Sequence, residues 1–271
     1  MKILKKGLFK IATPILSKVE RFKNKHAGET CYLFADGTSI KYFDLSLFSD
    51  KISFSLVKIP FHKEFKFLNC KYSLMLEPYY FYPYFRLDRY PHTLWKNNIQ
   101  KIYRKCIDHN KDINFFSNLS NYPVLWNSNI DYLFQKIPSH NFKFGEECYL
   151  NDVGIFKGSF RCSISLAIYM GFKEIFLVGC DYTHEKRLRR HWFEKDKGVM
   201  EPNKEYQKKF LNIASKYSKI TTITLQGKGS ILPAITYGEY TKKEPIYREN
   251  IDLSDISYLK TFAEWPGYKI F

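Results

Sequence analysis

The sequence has few acidic residues, no paired cysteines and no long apolar run. Its 271 residues contain 27 Asp and Glu against 43 Lys and Arg, a net charge of +16. This excess favours polyanionic partners such as nucleic acid, anionic lipid or phosphorylated substrates. The six cysteines form no Cys-x-x-Cys pair and no Cys/His cluster at zinc spacing, which predicts reduced, buried thiols. Apolar runs fall short of the roughly 20 residues of a membrane helix, and lysines interrupt the N-terminus too often for a secretory signal, so we expect a cytoplasmic protein.

Several catalytic motifs are also missing. The chain has no Asp-x-Asp that could hold a metal on a nucleotide-sugar diphosphate, no Walker lysine loop and no Gly-x-Ser-x-Gly elbow. The nearest acidic pair, Glu194 and Asp196, is interpreted as a surface pattern. The sequence therefore predicts neither a metal nor a cofactor.

The first 27 residues carry much of the positive charge. They hold eight lysines and arginines against one acid, Glu20, and apolar residues recur every three or four positions from Leu4 to Phe22. This pattern predicts a basic amphipathic helix over residues 1–27, interrupted or kinked at Pro14. Such a helix can lie on an anionic membrane surface, or it can be an ordinary docked terminal helix with solvated lysines.

The remaining chain has the pattern of a globular α/β protein, with 45% hydrophobic residues. A predicted helix at Cys162–Met170 is followed at once by an all-apolar strand at Glu174–Gly179, which is typical of a parallel sheet. Further strands are predicted at Cys31–Ala35, Ile52–Val57, Tyr72–Leu76, Ile113–Phe116 and Ile220–Leu225, and further helices at Tyr42–Phe48 and Asn203–Lys219. We predict one Rossmann-like domain over residues 28–237, with a mostly parallel sheet flanked by helices, a lid at about 183–203 and a C-terminal appendage over 238–271.

Polar residues at the strand ends are the first site candidates, because open parallel sheets bind ligands beyond the carboxyl ends of their strands. The candidates are Asp36 to Ser39, Glu77, Ser117 with Asn118, and Asp181 with Tyr182. The Gly37 loop can present backbone N–H groups to a phosphate, although loops of this kind are common in α/β proteins. Gly158 and Ser159, at a predicted helix start, offer the same property or a plain N-cap.

A basic, histidine-containing segment follows Asp181. Its arginines and lysines suit phosphate or carboxylate recognition, or form a solvated basic loop. His184 and His191 flank this cluster, and a histidine in a cleft is the usual general base. The basic residues of this group are Lys186, Arg187, Arg189 and Arg190, together with Arg161, which lies just before the predicted helix at Cys162–Met170.

Two segments of the chain resemble a known family. The opening Cys31-Tyr-Leu-Phe-Ala-Asp-Gly-Thr-Ser-Ile40, followed by Phe43-Asp-Leu, resembles that of the bacterial lipo-oligosaccharide sialyltransferases, glycosyltransferase family 42, and of the related Maf-type proteins, domain-of-unknown-function family 115. The more specific match runs from Gly158-Ser-Phe-Arg-Cys through Gly-Phe-Lys-Glu-Ile to Val-Gly-Cys-Asp-Tyr182. Glu77-Pro78 and Ser117-Asn118 resemble two further family segments, so the similarity extends in order over about residues 29–235.

The resemblance implies a Rossmann-like domain with a lid that transfers a sialic-acid-type (nonulosonate) sugar from its CMP donor with inversion and without metal. By motif position, Asp36, Gly37 and Ser39 would contact the nucleotide and its phosphate, and Glu77 would contact the sugar or ribose. Ser117 and Asn118 would contact the cytidine, and Gly158 and Ser159 the sugar carboxylate. Tyr182 would contact the departing phosphate. His191 resembles the lid histidine that acts as general base, with His184 second and Asp181 a further alternative.

This chain departs from the family pattern at three positions, one of which is Val57, where the family has an asparagine. Asp36 and Glu77 stand where the family has amides, and they would repel a CMP phosphate unless Lys157, Arg161 or Arg187 offset them. The leading hypothesis is a glycosyltransferase that works at the cytoplasmic face of the membrane in lipopolysaccharide or capsule biosynthesis, bound through residues 1–27, on a glycan or glycolipid acceptor. The alternatives are another nucleotide-sugar donor, a Mg²⁺-dependent phospho- or diphosphotransferase, and a basic nucleic-acid or membrane-binding module. Nucleic acid is not an expected partner of the leading hypothesis, and a homo-oligomer is left open.

Overall fold

The computed structural model describes residues 12–77, 80–82, 93–133, 158–194, 197–202 and 207–249. Its main feature is an eight-stranded sheet in the order β10-β9-β6-β1-β2-β3-β4-β5, in which every neighbouring pair is parallel. Its strands are β1 (Thr30–Phe34), β2 (Ile52–Leu56), β3 (Cys70–Leu74), β4 (Asn114–Asn118), β5 (Ile130–Leu133), β6 (Glu174–Val178), β9 (Lys219–Thr224) and β10 (Ala234–Thr236). A separate antiparallel hairpin pairs β7 (Lys186–Arg189) with β8 (Val199–Pro202).

Helical segments cover both faces of the sheet. In the described part of the chain, the α-helices with both ends defined are α1 (Thr93–His109), α2 (Ser159–Tyr169), α3 (Lys208–Ala214) and α4 (Tyr237–Thr241). One apolar layer joins α2 and α3 to alternate residues of β1 such as Leu33, and the other joins α1 and α4 to residues such as Phe34. Because β1 is covered on both faces, its residues Cys31–Phe34 are all apolar and buried rather than alternating with polar ones. The predicted α/β class is confirmed.

The structure departs from the predicted elements in three places. The helix predicted at Tyr42–Phe48 is instead two 3-10 turns, Thr38–Tyr42 and Leu45–Phe48. Asp44 lies between the two turns. Its backbone is extended, and its carboxylate accepts from the N–H of Ser46 at 3.0 Å, so it caps the start of the second turn. The predicted helix at Asn203–Lys219 is shorter, and β5, β7, β8, β10 and α1 were not predicted.

Residues 12–28 dock against the sheet. Leu16, Val19 and Phe22 of the predicted apolar stripe are buried, and the Arg21 guanidinium lies 2.7 Å from the buried carboxylate of Asp131 on β5. Lys18 and Lys23 are exposed. The stripe is therefore used for packing within the described part of the segment, and residues 1–11 lie outside the described residues. Within the described ranges, every helix is too short or too polar to cross a bilayer.

A C-terminal strap, residues 242–249, crosses the 3-10 turns that follow β1. The N–H of Arg248 donates to the carbonyl of Lys41 at 2.8 Å, and the N–H of Ile246 donates to that of Tyr42 at 3.1 Å. The Arg248 guanidinium also contacts the Glu64 carboxylate. The first part of the predicted appendage is thus joined to the domain, and residues 250–271 lie outside the described residues.

We expect Phe22→Ala to destabilise the protein by about 3–5 kcal/mol, because the ring fills a fully buried space. It lies edge-on to Tyr72 and Phe116, at centroid distances of 5.9 and 5.2 Å. Urea unfolding followed by circular dichroism measures the change. Phe67→Ala, the same substitution at a ring that is 47% exposed, should cost no more than about 1 kcal/mol. Equal losses in the two variants would show that the N-terminal segment is not part of the core.

Candidate functional site

The sheet reverses its strand order between β1 and β6, and this reversal defines a crevice. The chain leaves β1 towards β2 on one side, and it leaves β6 towards β9 on the other. In open parallel sheets, such a switch point separates the two following loops and forms the ligand crevice. Here the crevice lies between residues 35–39 and residues 179–182. These two ranges contain five of the residues expected from the sequence, and a sixth, His184, follows two residues later: the five are Asp36, Gly37, Ser39, Asp181 and Tyr182.

Direct hydrogen bonds hold these two loops together. The N–H of Gly37 donates to the carbonyl of Gly179 at 2.8 Å. The buried Asp181 carboxylate accepts from the N–H of Ser39 at 2.9 Å and also from its hydroxyl. These backbone donors of the Gly37 loop are therefore used within the protein. Asp181, an alternative base in the sequence analysis, has both carboxylate oxygens bound to Ser39.

Asp36 forms a charged cluster with Lys58, which follows β2, and with residues of the hairpin turn. Burial raises the pKa of the Asp36 carboxyl, while Lys58, His191, a hydrogen bond from Trp192 and the N–H of Lys58 oppose the rise. The indole Nε1 of Trp192 donates to Asp36 at 3.3 Å. Lys58 is itself buried, with its ammonium 4.3 Å from the centroid of the Phe193 ring. Lys58, which was not named from the sequence, therefore offsets the charge of Asp36.

The turn between β7 and β8 packs against the loop after β1. Gly37 and His191 form an isolated antiparallel bridge, and the N–H of Trp192 donates to the carbonyl of Asp36 at 3.1 Å. Trp192 is fully buried, and the hydroxyl of Thr38 donates to the carbonyl of Arg189 at 3.4 Å. The predicted lid region therefore contains a hairpin whose turn covers the crevice.

The two candidate histidines lie in different environments. His191 is partly exposed, and its ring stacks on Phe193 at 5.1 Å between centroids. His184 is buried, with Nδ1 4.0 Å from an Asp181 oxygen, and burial lowers the pKa of His184. His184 also borders a small groove, with a volume of about 30 Å³, between the hairpin and the end of β9. Of the two rings, His191 is the one next to the Gly37 loop and reachable from solvent.

The ends of β3 and β4 form a second polar group. The hydroxyl of Ser117 donates to the carbonyl of Met75 at 2.8 Å, and Asn118 caps the following turn. Asn121, which was not expected from the sequence, is fully buried and donates to Ser117 at 2.8 Å, while its Oδ1 has no hydrogen-bond partner among the described residues. Burial raises the pKa of Glu77. Ser117 and Asn121 thus hold the two strand ends together.

The start of α2 lies beside the end of β6. Gly158 has a φ of 90° immediately before Ser159 begins the helix, and Phe160 contacts the Tyr182 ring at 5.4 Å. The Arg161 guanidinium contacts Gln207, ahead of α3. Lys157 and the side chain of Arg187 lie outside the described residues, so their predicted roles stay predictions. Among the residues that the structure describes, no group of three His, Cys, Asp or Glu could hold a metal ion.

The sequence analysis missed Lys58 and Trp192. The strand-end argument could have identified Lys58, since it follows β2 as Asp36 follows β1. Lysines are seldom buried unless paired, and the sequence does not show that Lys58 meets a carboxylate. The sequence around Trp192 gave no indication of its contact with Asp36, because that contact depends on the position of the hairpin turn.

Of the comparisons with known proteins, the one with solved structures finds similar chains. No protein-family model matches the chain, and no curated protein matches it. It is similar to the sialyltransferase CstII from Campylobacter jejuni in complex with a substrate analogue, cytidine-5'-monophosphate, at 16% identity over 72% of this chain and 80% of that chain, with a TM-score of 0.42. A tyrosine-to-phenylalanine variant of the sialyltransferase CST-II in complex with CMP is similar at 16% identity over the same shares, with a TM-score of 0.37. Likeness at this level does not identify binding or reacting residues.

We expect Gly37→Ala to destabilise the protein by about 1–3 kcal/mol through overpacking. A Cβ at this position would lie 2.3 Å from the carbonyl oxygen of Gly179 and 2.6 Å from the Asp181 carboxyl carbon. Urea unfolding measures the loss. Gly238→Ala, in α4, meets nothing nearer than 3.5 Å and should be neutral or stabilising by up to about 1 kcal/mol. Wild-type stability in Gly37→Ala would mean that the two loops can separate without cost.

Stability should also fall in acid because of His62, which packs on Trp192 at a centroid distance of 4.8 Å. Burial lowers the pKa of His62 to about 3, helped by Arg248 and Lys63. The unfolded chain binds the proton first, so this contribution is complete above about pH 6.5 and is lost as pH falls towards 3.

The measurement is the urea unfolding free energy from pH 7.5 to 4. His62→Asn, whose amide oxygen can accept from the N–H of Glu64 as Nδ1 does at 3.2 Å, should show a flatter profile than wild type. His109→Asn, at an exposed helix end, controls for the removal of one histidine. Parallel profiles for wild type and His62→Asn would contradict the prediction.

Proposed function

We propose that the protein is a metal-independent, inverting glycosyltransferase that transfers a sialic-acid-type sugar from a CMP donor to a cell-surface glycan. The observation that carries this proposal is the bridge between Gly37 and His191, because it puts a partly exposed histidine beside the switch-point crevice. A general base must lie within reach of the reacting hydroxyl, and crevices of this kind bind nucleotides. The sequence resemblance over residues 29–235 supports the choice of reaction.

In the proposed reaction, His191 accepts the proton of the acceptor hydroxyl. The acceptor oxygen forms a bond to the anomeric carbon as the bond from that carbon to the CMP oxygen breaks, and the electron pair leaves with the phosphate. Attack from the face opposite CMP inverts the configuration. Tyr182, at the end of β6, would donate a hydrogen bond to the departing phosphate, where charge develops.

The charges around the crevice are compatible with a phosphate-bearing donor. Lys58 faces Asp36, and burial raises the pKa of Glu77, so that its neutral form is favoured relative to an exposed glutamate. Repulsion by these two carboxylates is thereby reduced. The start of α2, beside Tyr182, supplies helix N–H groups that suit the sugar carboxylate. The cytidine would lie towards Ser117 and Asn118.

The acceptor is proposed to be a glycolipid at the inner face of the cytoplasmic membrane. Lys18, Lys23 and Lys25 are exposed on the docked N-terminal segment. Together with the lysines of residues 1–11, they would attract anionic lipid. Attachment of this kind would bring the crevice to a lipid-linked substrate.

The first test is a thermal-shift and calorimetric screen against CMP, CDP, UDP and GDP, with and without Mg²⁺. A ligand that binds the native state raises its melting temperature by mass action. We expect stabilisation by CMP that does not require Mg²⁺. A preference for a diphosphonucleotide would point to another donor, and a strict Mg²⁺ requirement would favour the phosphotransferase alternative.

His191→Ala should lower the release of CMP from CMP-N-acetylneuraminate, with lactose as acceptor, by about 10²–10⁴-fold. Binding of CMP should be retained, because the imidazole is proposed to act on the acceptor. His184→Ala tests the second candidate, and His109→Ala is the matched exposed control. Unchanged turnover in His191→Ala would remove His191 from the role of base.

A further inference from the structure

Glu194, three residues after His191 in the hairpin turn, lies against that histidine. Its Oε2 accepts from the backbone N–H of His191 at 2.8 Å and lies 3.4 Å from the ring Nδ1. Burial raises the pKa of Glu194, but hydrogen bonding and charge from His191 outweigh that effect, so the pKa is lowered overall. Glu194 is therefore favoured as a carboxylate beside the imidazole.

Glu194 is held in place from its other side. The buried ammonium of Lys41 donates to the carbonyl of Glu194, and it also lies 3.3 Å from the Glu249 carboxylate on the C-terminal strap. The His191 ring is confined by its stack on Phe193, with 17° between the ring planes. Both members of the pair therefore have fixed neighbours, as a precisely placed acid–base group requires.

A neutral histidine carries its proton on one ring nitrogen, and the nitrogen without it is the base. A carboxylate at Nδ1 selects the tautomer protonated there and leaves Nε2 for the substrate. Contacts of this kind are often long in the absence of substrate and shorten in the reacting complex. We propose that Glu194 is a positioning residue that holds the Nδ1–H of His191 and so directs Nε2 to the acceptor hydroxyl; this rests on the proposed function.

Among the described residues, further charges near the pair lie on three other segments. Asp36 follows β1, Lys58 follows β2, and Arg190 precedes the histidine in the turn. Asp36 accepts from the Trp192 indole at 3.3 Å, and the Lys58 ammonium lies over the Phe193 ring. The Glu194 carboxylate lies 3.4 Å from Nδ1 of the His191 ring.

The kinetic test is Glu194→Gln, assayed by CMP release from CMP-N-acetylneuraminate with lactose. We expect kcat to fall about 10- to 100-fold, because losing the positioning of a general base costs less than losing the base itself. The KM for the donor and the melting temperature should be nearly unchanged. Glu194→Asp should recover part of the loss. Glu201→Gln is the matched control, because Glu201 pairs with Arg189 at 2.9 Å in the same hairpin. Wild-type kcat in Glu194→Gln, or an equal loss in Glu201→Gln, would overturn the proposal.

A second readout does not depend on turnover. Nitrogen-15 NMR of histidine-labelled protein, with His191 assigned from His191→Ala, shows which ring nitrogen carries the proton. We expect the Nδ1–H form in wild type and in Glu201→Gln, and a shift towards the Nε2–H form in Glu194→Gln. An Nε2–H form in wild type, or no change in Glu194→Gln, would overturn the proposal. If wild type releases no CMP but shows this tautomer shift, the pair stands and the proposed reaction fails.

Discussion

The rest of the site depends on the close approach of the loops that follow β1 and β6. A side chain on Gly37 would meet the carbonyl of Gly179, and one on Gly179, where φ is 71°, would lie 2.4 Å from the carbonyl of Ala35. Two glycines thus allow backbone-to-backbone hydrogen bonding across the switch point. Because the loops meet, Asp181 can bind Ser39 and the hairpin turn can reach the Asp36 carbonyl. The packing of the hairpin turn therefore extends the contact between the loops that follow β1 and β6.

Charge burial is the second organising feature of the crevice. The Asp36 carboxylate is offset by the charge of Lys58 and accepts a hydrogen bond from the Trp192 indole. The Lys41 ammonium donates to the Glu194 carbonyl and pairs with Glu249 on the strap. Buried charges are tolerated when they are paired and hydrogen-bonded, and breaking such a pair leaves an uncompensated charge. This arrangement ties the hairpin turn to the strand ends more specifically than apolar packing alone would do.

The sequence predicted the parts of the fold whose pattern is local. The apolar runs at Cys31–Ala35 and Glu174–Gly179, with the helix at Cys162–Met170 before the second, were sufficient to infer a parallel sheet. The β7–β8 hairpin was not predicted, because its first strand is Lys-Arg-Leu-Arg, and only pairing with β8 makes this segment a strand. Gly37, Ser39 and Asp181 were selected as strand-end residues and do lie together, whereas the burial of Lys58 and the proximity of Glu194 to His191 depend on tertiary contacts.

The central position of β1 also has a consequence during synthesis. Thr30 on β1 pairs with Glu174 on β6, whereas β2 follows β1 after one short connection. At about 5–20 residues per second, the ribosome needs roughly 7–30 s to deliver β6 after β1. During that time one edge of β1, whose residues Cys31–Phe34 are apolar, has no strand to pair with, which makes the nascent chain prone to association. The same topology that forms the crevice thus delays its assembly until most of the chain has been made.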